Sequence, residues 1–580
     1  MNPRRRLLVA LAAVGLVLLA GRMLAMIYTD YAWYRAPGAT SLWKERVRDI
    51  AVIHLVSATF AGLFALVNLS VLRRSIVSLA FPRRLGNVEF GEAVPHRYID
   101  GVAFFLSGAV AVAMSFAAPR WQDLALVRAS PRFGEADPFF QMDLGFYVAW
   151  IPLEIAVYTW ALILLIVVSA LVIGLYALTP SLRWHEGAFH VSVRARRHLT
   201  VLASLLLVTL AWRYRLDGYG LLMHGSGPAG AFSYIDHQWL IPAYLSLSVG
   251  TVAGAALVLA SGWAGQIRAS FFTVSAVLIF SVTIGLVLPS LVRSIGSAST
   301  TGVPESPYQA TREIFTRRAY GLRAPGVLSQ PAENTRFSVF SDSTRVAALV
   351  EGARSDALIY PGAVGAALVK NGAGVNSPVL GSGLRRLAHA WSEQRLDLMW
   401  SDLPPPTRIV TTRDVRERLK RLTPVFDQGS DVTPAYIADT LFWVVQLYSA
   451  SVNYPLSEHH VLAGEERSYF RHAGTGMINS RTARVTVVPA PSPDPIAASW
   501  RARFPAVFRS GSPDILSELS PVPTTPFGRT LPSGIAGTGD SAFRVEVNRL
   551  YKRMRATLAA GDLPGFAAAY DSLGRVIGRD

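Results

Sequence analysis

Seven runs of mainly apolar residues, six of them 18 to 28 residues long, occupy the first 292 positions of the chain. A bilayer's hydrocarbon layer is about 30 Å thick, and a helix needs about 20 apolar residues to cross it. The runs are Leu7 to Tyr28, broken only by Arg22; Ile50 to Leu72, ending at Arg73 and Arg74; Gly101 to Ala118, stopped by Pro119; Ile151 to Leu178; Leu199 to Trp212; Trp239 to Ala260; and Phe271 to Val292. Tyr147, Trp150 and Trp160 are suited to anchor the fourth at a membrane interface. The fifth is the weakest, because Arg213 and Arg215 follow it at once. Lipid cannot satisfy backbone amides, and membrane barrel strands alternate over about 10 residues, so these runs predict seven transmembrane helices.

Composition agrees with a membrane solvent. The chain is 51% hydrophobic with a mean hydropathy of +0.32, and its 16% of charged residues falls well below the soluble average of about 25%. It has no cysteine, which excludes disulfides, Cys-ligated zinc and thiol catalysis. The net charge of +17 invites a nucleic-acid reading. Yet 52 of the 56 basic residues are arginine, and they spread along the whole chain without a dense cluster. No nucleic-acid partner is expected; the partner is the lipid bilayer, whose acidic headgroups attract such residues.

Arg4, Arg5 and Arg6 ahead of an apolar run also fit a signal peptide, but no convincing small-x-small cleavage site follows, so the run is expected to stay as the first helix. With the N-terminus inside, the inner connections carry 13 basic residues and the outer ones 9. Positive charge is retained in the cytoplasm, so this favours a cytoplasmic N-terminus in the bacterial plasma membrane. Seven spans then place the chain beyond Arg293 outside.

From about Gly296 the sequence turns polar, with frequent Pro and Gly. Thr440 to Tyr448 and Arg484 to Val488 are rich in β-formers, whereas Asp414 to Leu422 has helical spacing with Val415, Leu419 and Leu422 on one face. These predict an α+β extracytoplasmic domain over 296–508. A Pro/Gly/Ser-rich linker follows over 509–539, and residues 540–580 repeat apolar positions at helical spacing around a break at Gly561, Asp562 and Pro564, the pattern of a helical hairpin. The first 295 residues form the transmembrane domain in this division.

Four groups of residues carry a resemblance. Asp30 to Tyr34 follows the first run; Asp137-Pro138-Phe139 with Asp143, Phe146 and Tyr147 precedes the fourth; Tyr234, Asp236, His237 and Pro242 lead into the sixth; Glu305, Pro307, Tyr308, Thr316, Arg317, Ala319, Tyr320 and Gly321 follow the seventh. In these, and in Arg408 to Phe426, Phe442 to Ser457 and Asp494 to Phe508, the chain resembles the uncharacterised protein family 0182, bacterial multi-pass membrane proteins. The resemblance implies seven spans with a large extracytoplasmic domain and supplies no reaction. It also implies two departures: the stretch from Leu322 to Asp356 stands where the family has a longer segment, and a family region after Phe508 has no counterpart.

Residues with chemical potential are few. His185-Glu186 with His190 superficially resembles a zinc-protease helix, but the second histidine falls at i+5 rather than i+4. Asp137, Asp143, Asp236 and His237 lie in predicted outer loops and could ligate a cation or relay a proton; the simpler reading is that Asp137-Pro138 starts a turn and Asp236 caps a helix. Glu458-His459-His460 with Glu465-Glu466 is a weak metal candidate, expected in a loop. Arg22, His54, Asn68 and Glu154 are the polar residues inside the runs. No catalytic, cofactor or metal residue is assigned, and no GxSxG or phosphate-cradling loop is present. The expectation is a non-enzymatic, membrane-anchored scaffold or interaction protein that binds other envelope components. The alternatives are a transporter or channel using Asp143, Asp236 and His237, and a tethered extracytoplasmic enzyme.

Overall fold

The computed structural model describes residues 3–76, 84–85, 88–89, 96–177, 182–185, 188–227, 230–287, 306–321, 357–437, 440–462, 465–490, 492–508, 549 and 552–553. The chain divides into two compact units, Met1–Gly321 with Phe337–Ser520, and Leu322–Arg336 with Pro521–Asp580. Every element below belongs to the first. The expected linker, nearly all of the expected C-terminal hairpin and the segment from Leu322 to Asp356 lie outside the described residues.

The seven apolar runs fall in helices α1 (Pro3–Arg35), α2 (Thr40–Ile76), α3 (His96–Phe116), α5 (Ile151–Ala177), α6 (Val193–Met223), α7 (Ile241–Ala264) and α8 (Ile267–Val282), and a shorter helix outside the runs, α4 (Trp121–Ala129), follows α3. Short π-helical turns, Phe146–Trp150 and Asp236–Leu240, lead into α5 and α7, and a third, Thr283–Val287, follows α8. Among the described residues six helices are long and apolar enough to cross a membrane. A bent pair, Asp100–Phe116 with Trp121–Ala129 at 59°, makes a seventh if taken as one span.

Their outward faces are apolar: Leu16, Phe104, Val249 and Phe271 are each about two-thirds exposed or more. Such a surface is stable only against something other than water. The inward faces pack α2 against α3, α5 against α6 and α6 against α7. A core of Ala65, Leu72, Val168, Val172 and Tyr176 fills the first group. Small residues let the helices close in: a Cβ on Gly262 of α7 would stand 2.3 Å from the Thr200 hydroxyl of α6.

The weakest run proves to be a full helix of 31 residues. Its arginines are paired rather than terminal: Arg213 with Asp217 at 2.9 Å, and Arg215 with Glu154 of α5. The polar residues inside the runs are likewise partnered. His54 Nδ1 lies 2.8 Å from the Ser115 carbonyl, and Asn68 Oδ1 lies 2.9 Å from His198 Nε2, whose ring also meets Tyr176.

Two short antiparallel strand pairs lie in the connections of the bundle, β1 (Arg84–Leu85) with β2 (Val88–Glu89) after α2 and β3 (Leu182–His185) with β4 (Ala188–Val191) after α5. Beyond the bundle comes the α+β region. Helix α9 (Ser306–Tyr320) precedes it; then follow β5 (Ala367–Val369), α10 (Leu384–Ser392), β6 (Arg408–Val410) and α11 (Val415–Leu422). Asp414 caps α11, accepting from the Glu417 amide at 2.9 Å, so the helical spacing read there begins where a capping residue permits. A five-stranded antiparallel sheet runs β13 (Val485–Pro489), β12 (Tyr469–Asn479), β9 (Thr440–Ser451) and β7 (Asp427–Gln428), with β8 (Thr433–Ile437) also paired to β9. Leu419 of α11 packs onto β12 where Gly476 offers no side chain; a Cβ there would meet it at 2.6 Å. Helix α12 (Pro495–Arg503) closes the region, with Asp494 accepting from the Ile496 and Ala497 amides and the Ser449 hydroxyl.

Candidate functional site at the junction of bundle and domain

The motif residues gather where the helical bundle meets the α+β region. Asp137 is fully buried, and its carboxylate gathers its own loop: Oδ1 accepts from the Phe139 and Phe140 amides at 2.9 and 2.6 Å, Oδ2 from the Met142 amide and the Tyr147 hydroxyl at 2.9 Å each. Pro138 follows it at the start of that turn. Asp143 does the same for the preceding segment, accepting from Phe133, Gly134 and Gly145. Asp236 accepts from the Ser226 and Ser233 amides and the Ser233 hydroxyl. All three carboxylates thus bind backbone donors of adjacent turns. Asp137 starts a turn as expected, whereas Asp236 does not cap the helix amides ahead of it but accepts from Ser226 and Ser233 behind it, and the Ser233 hydroxyl takes the Asp236 amide.

An aromatic cluster joins those loops to α9. Phe139 lies 4.7 Å, ring to ring, from both Phe232 and His237, and His237 Nδ1 stands 2.7 Å from the Tyr308 hydroxyl. Tyr234 packs edge-on against Tyr308 at 6.2 Å. Pro307 sits in the first turn of α9, where its missing N–H costs nothing. One turn past Tyr308, buried Arg312 donates to the Phe232 carbonyl at 2.6 Å.

The C-terminal end of α9 reaches the domain. The Tyr320 hydroxyl, buried, donates to the carbonyls of Glu458 and Arg467, and burial pushes that phenol well above its ordinary range. Gly321 takes φ +74° to end the helix, and a Cβ there would stand 3.2 Å from the Arg471 guanidinium, a conformation and a space that suit glycine. Arg471 also donates to the Arg318 carbonyl, and the Glu458 amide to the Thr316 hydroxyl. Arg317 pairs within α9 with Glu313.

The Glu458-His459-His460 segment falls partly in a hairpin, β10 (His460–Leu462) against β11 (Glu465–Arg467), rather than in a loop. Buried His459 sets Nε2 2.6 Å from the Met223 carbonyl at the end of α6 and Nδ1 2.8 Å from Glu466. His224 stacks edge-on against it at 4.9 Å, and burial together with that neighbour lowers the His224 pKa. The Leu456 amide donates to the Leu222 carbonyl at 2.7 Å. The His185 to His190 stretch forms two paired strands, β3 (Leu182–His185) and β4 (Ala188–Val191), so its histidines share no helical face. Among the described residues no group of three or more His, Asp or Glu side chains is arranged to hold a metal.

The structure therefore brings together Asp137 with Tyr147, and Tyr234, His237 and Tyr308 with one another; Tyr320 and Gly321 work one helix length away, and Asp143 and Asp236 serve separate turns. Sequence reasoning missed Arg312, Phe232 and Ser233. The signal for Arg312 was its i+4 spacing from Tyr308, which places both on one face of α9.

Comparison with known proteins gives the same grouping. A family model described as "Uncharacterised protein family (UPF0182)" matches residues 7–342 and 340–519. Curated relatives include UPF0182 proteins of Desulforamulus reducens, 26% identical over 53% of this chain, and of Geobacter sulfurreducens, 29% identical over 55%. One from Kocuria rhizophila is 22% identical over 88% of the chain. The chain spans 36% of the length of the first two and 66% of the third. No solved structure matches it.

Proposed function

The chain belongs to the uncharacterised protein family UPF0182, and from that premise we propose that it is a structural protein of the bacterial plasma membrane. In this reading seven spans anchor it, the N-terminus is cytoplasmic, and the α+β domain is held outside as a docking platform for other envelope proteins. One observation carries the proposal. The motif side chains spend their hydrogen-bonding capacity on fastening loops, α9 and the domain to one another, as Asp137, Asp236 and Tyr320 do. A carboxylate already accepting three or four N–H and O–H bonds has its lone pairs committed to the fold and offers few to a travelling cation.

Flux assays test this against the transport alternative. Full-length protein in proteoliposomes should pass potassium ions and protons no faster than empty vesicles, and Asp236→Asn should lower the melting temperature. Flux in the wild type that Asp236→Asn abolishes at unchanged melting temperature would replace the scaffold reading with transport.

A further inference from the structure

The exported region does not stand clear of the first span; part of it runs down that helix. His389 of α10 packs edge-on against Tyr28 at 5.9 Å, and the Ser392 hydroxyl meets that of Thr29 at 3.0 Å. Two residues further, with its amide oriented to satisfy both groups, Gln394 accepts from the Arg22 guanidinium at 2.9 and 3.1 Å. Arg22 and Thr29 are seven residues apart on α1, about 10 Å along its axis at 1.5 Å per residue. Between them Met23, Leu24, Met26 and Ile27 remain about half or more exposed, so this level of α1 still belongs to its apolar belt.

The turn that follows is fixed and faces outward. Leu398 is fully buried in a small core with Ala390 and Ile409, and Arg386 of α10 donates to the carbonyls of Leu398 and Ser401. On either side of that anchored residue, Leu396 and Trp400 are 58% and 80% exposed. The Arg395–Asp397 ion pair lies on the same turn at 2.8 Å. Apolar tips, a tryptophan and a paired charge beside the last turns of an apolar belt are what the boundary between headgroups and acyl chains accommodates.

We propose that the Leu396–Trp400 turn is a membrane foot: it inserts Leu396 and Trp400 into the headgroup boundary of the leaflet from which α1 emerges. Its occupant is the lipid of the bilayer that α1 crosses. Gln394, beside it, gives the Arg22 guanidinium an acceptor at a depth where water is scarce. The foot rests on the membrane reading given above and fixes the height of the domain over the bilayer.

The chain has no cysteine, so one can be introduced at will. Trp400→Cys, Leu16→Cys and Asp431→Cys proteins, each spin-labelled, would be reconstituted in phosphatidylethanolamine–phosphatidylglycerol vesicles. Collision rates with oxygen, which concentrates in lipid, and with a neutral nickel chelate, which stays in water, would then be compared. The label at 400 should show an oxygen-to-nickel ratio severalfold above that at 431 and below that at 16. A nickel-dominated label at 400 beside an oxygen-dominated label at 16 would overturn the foot alone. A nickel-dominated label at 16 would overturn the membrane reading and the foot with it.

Discussion

The guanidinium carbon of Arg418 lies 5.4 Å from the centre of the Trp33 ring, joining the domain's α11 to the end of α1 through two buried side chains. Arg418 donates to three carbonyls, those of Ala483 and Thr412 at 2.9 Å and Asn376 at 2.5 Å. Arg421, on the same helix, also lies over Trp33, at 5.0 Å. A fork of donors against an aromatic face is geometry that lysine cannot copy. Arg418→Met leaves three buried carbonyls unpaired and should destabilise the protein by about 3 kcal/mol or more. Arg418→Lys should cost less. Tryptophan-fluorescence melting in detergent checks both; a Met variant that melts with the wild type would show that this contact carries no stability.

Asp137 and Tyr147 share one hydrogen bond, but only Asp137 also serves three backbone amides. Tyr147→Phe should therefore lose about 1 kcal/mol, whereas Asp137→Ala should lose several times that, because buried amides are left without acceptors. The same melting experiment distinguishes them. Equal losses would mean that the loop does not depend on the carboxylate.

Acid should weaken the domain through two buried histidines. Burial lowers His389 and His472 from their ordinary value to about 4. Their folded-state pKa values lie below the unfolded value of about 6.5, so the unfolded chain binds the proton more readily in this window. Their stabilising contribution is complete above about pH 6.5 and is lost as pH falls towards 4, by up to about 3 kcal/mol for each group. Both ring nitrogens of His389 lack a hydrogen-bond partner, so His389→Leu removes a titrating group without breaking a bond. Its melting temperature should fall less steeply between pH 6.5 and 4 than that of the wild type; an unchanged slope would refute the assignment.

Close contact at Gly262 makes it the sensitive point between α6 and α7. The Arg196 Nε donates to its carbonyl at 2.9 Å, and Thr200 fills the space a side chain would need. Gly262→Val should separate the two helices and cost about 2 kcal/mol or more by overpacking. Gly108, with open space around its Cβ position, should accept alanine at little cost. A Gly262→Val protein as stable as Gly108→Ala would contradict this packing.

Helix positions in the first half were legible because hydrocarbon demands length and apolarity, and both are written in contiguous sequence. Charge next to a run misled at α6, where Arg213 and Arg215 suggested an early end; Asp217 and Glu154 pair them within the bundle. In the domain, β9 and β13 announced themselves through β-branched and aromatic residues. Strand β12 did not, because Gly474 and Gly476 dilute its pattern where close neighbours leave no room for side chains. The turn at Asp137 was read from turn chemistry alone; Asp236, expected to cap a helix, accepts instead from the preceding Ser226 and Ser233 amides. The aromatic cluster around Tyr308 was not legible, since its members come from three segments that only folding brings together.

Cysteine accessibility in right-side-out membrane vesicles tests the central claim most directly. With single cysteines at Asp431 in the domain and Arg4 before α1, a membrane-impermeant maleimide should label position 431 in sealed vesicles and position 4 only after permeabilisation. Labelling at 4 but not at 431 in sealed vesicles would contradict the proposed export of the domain.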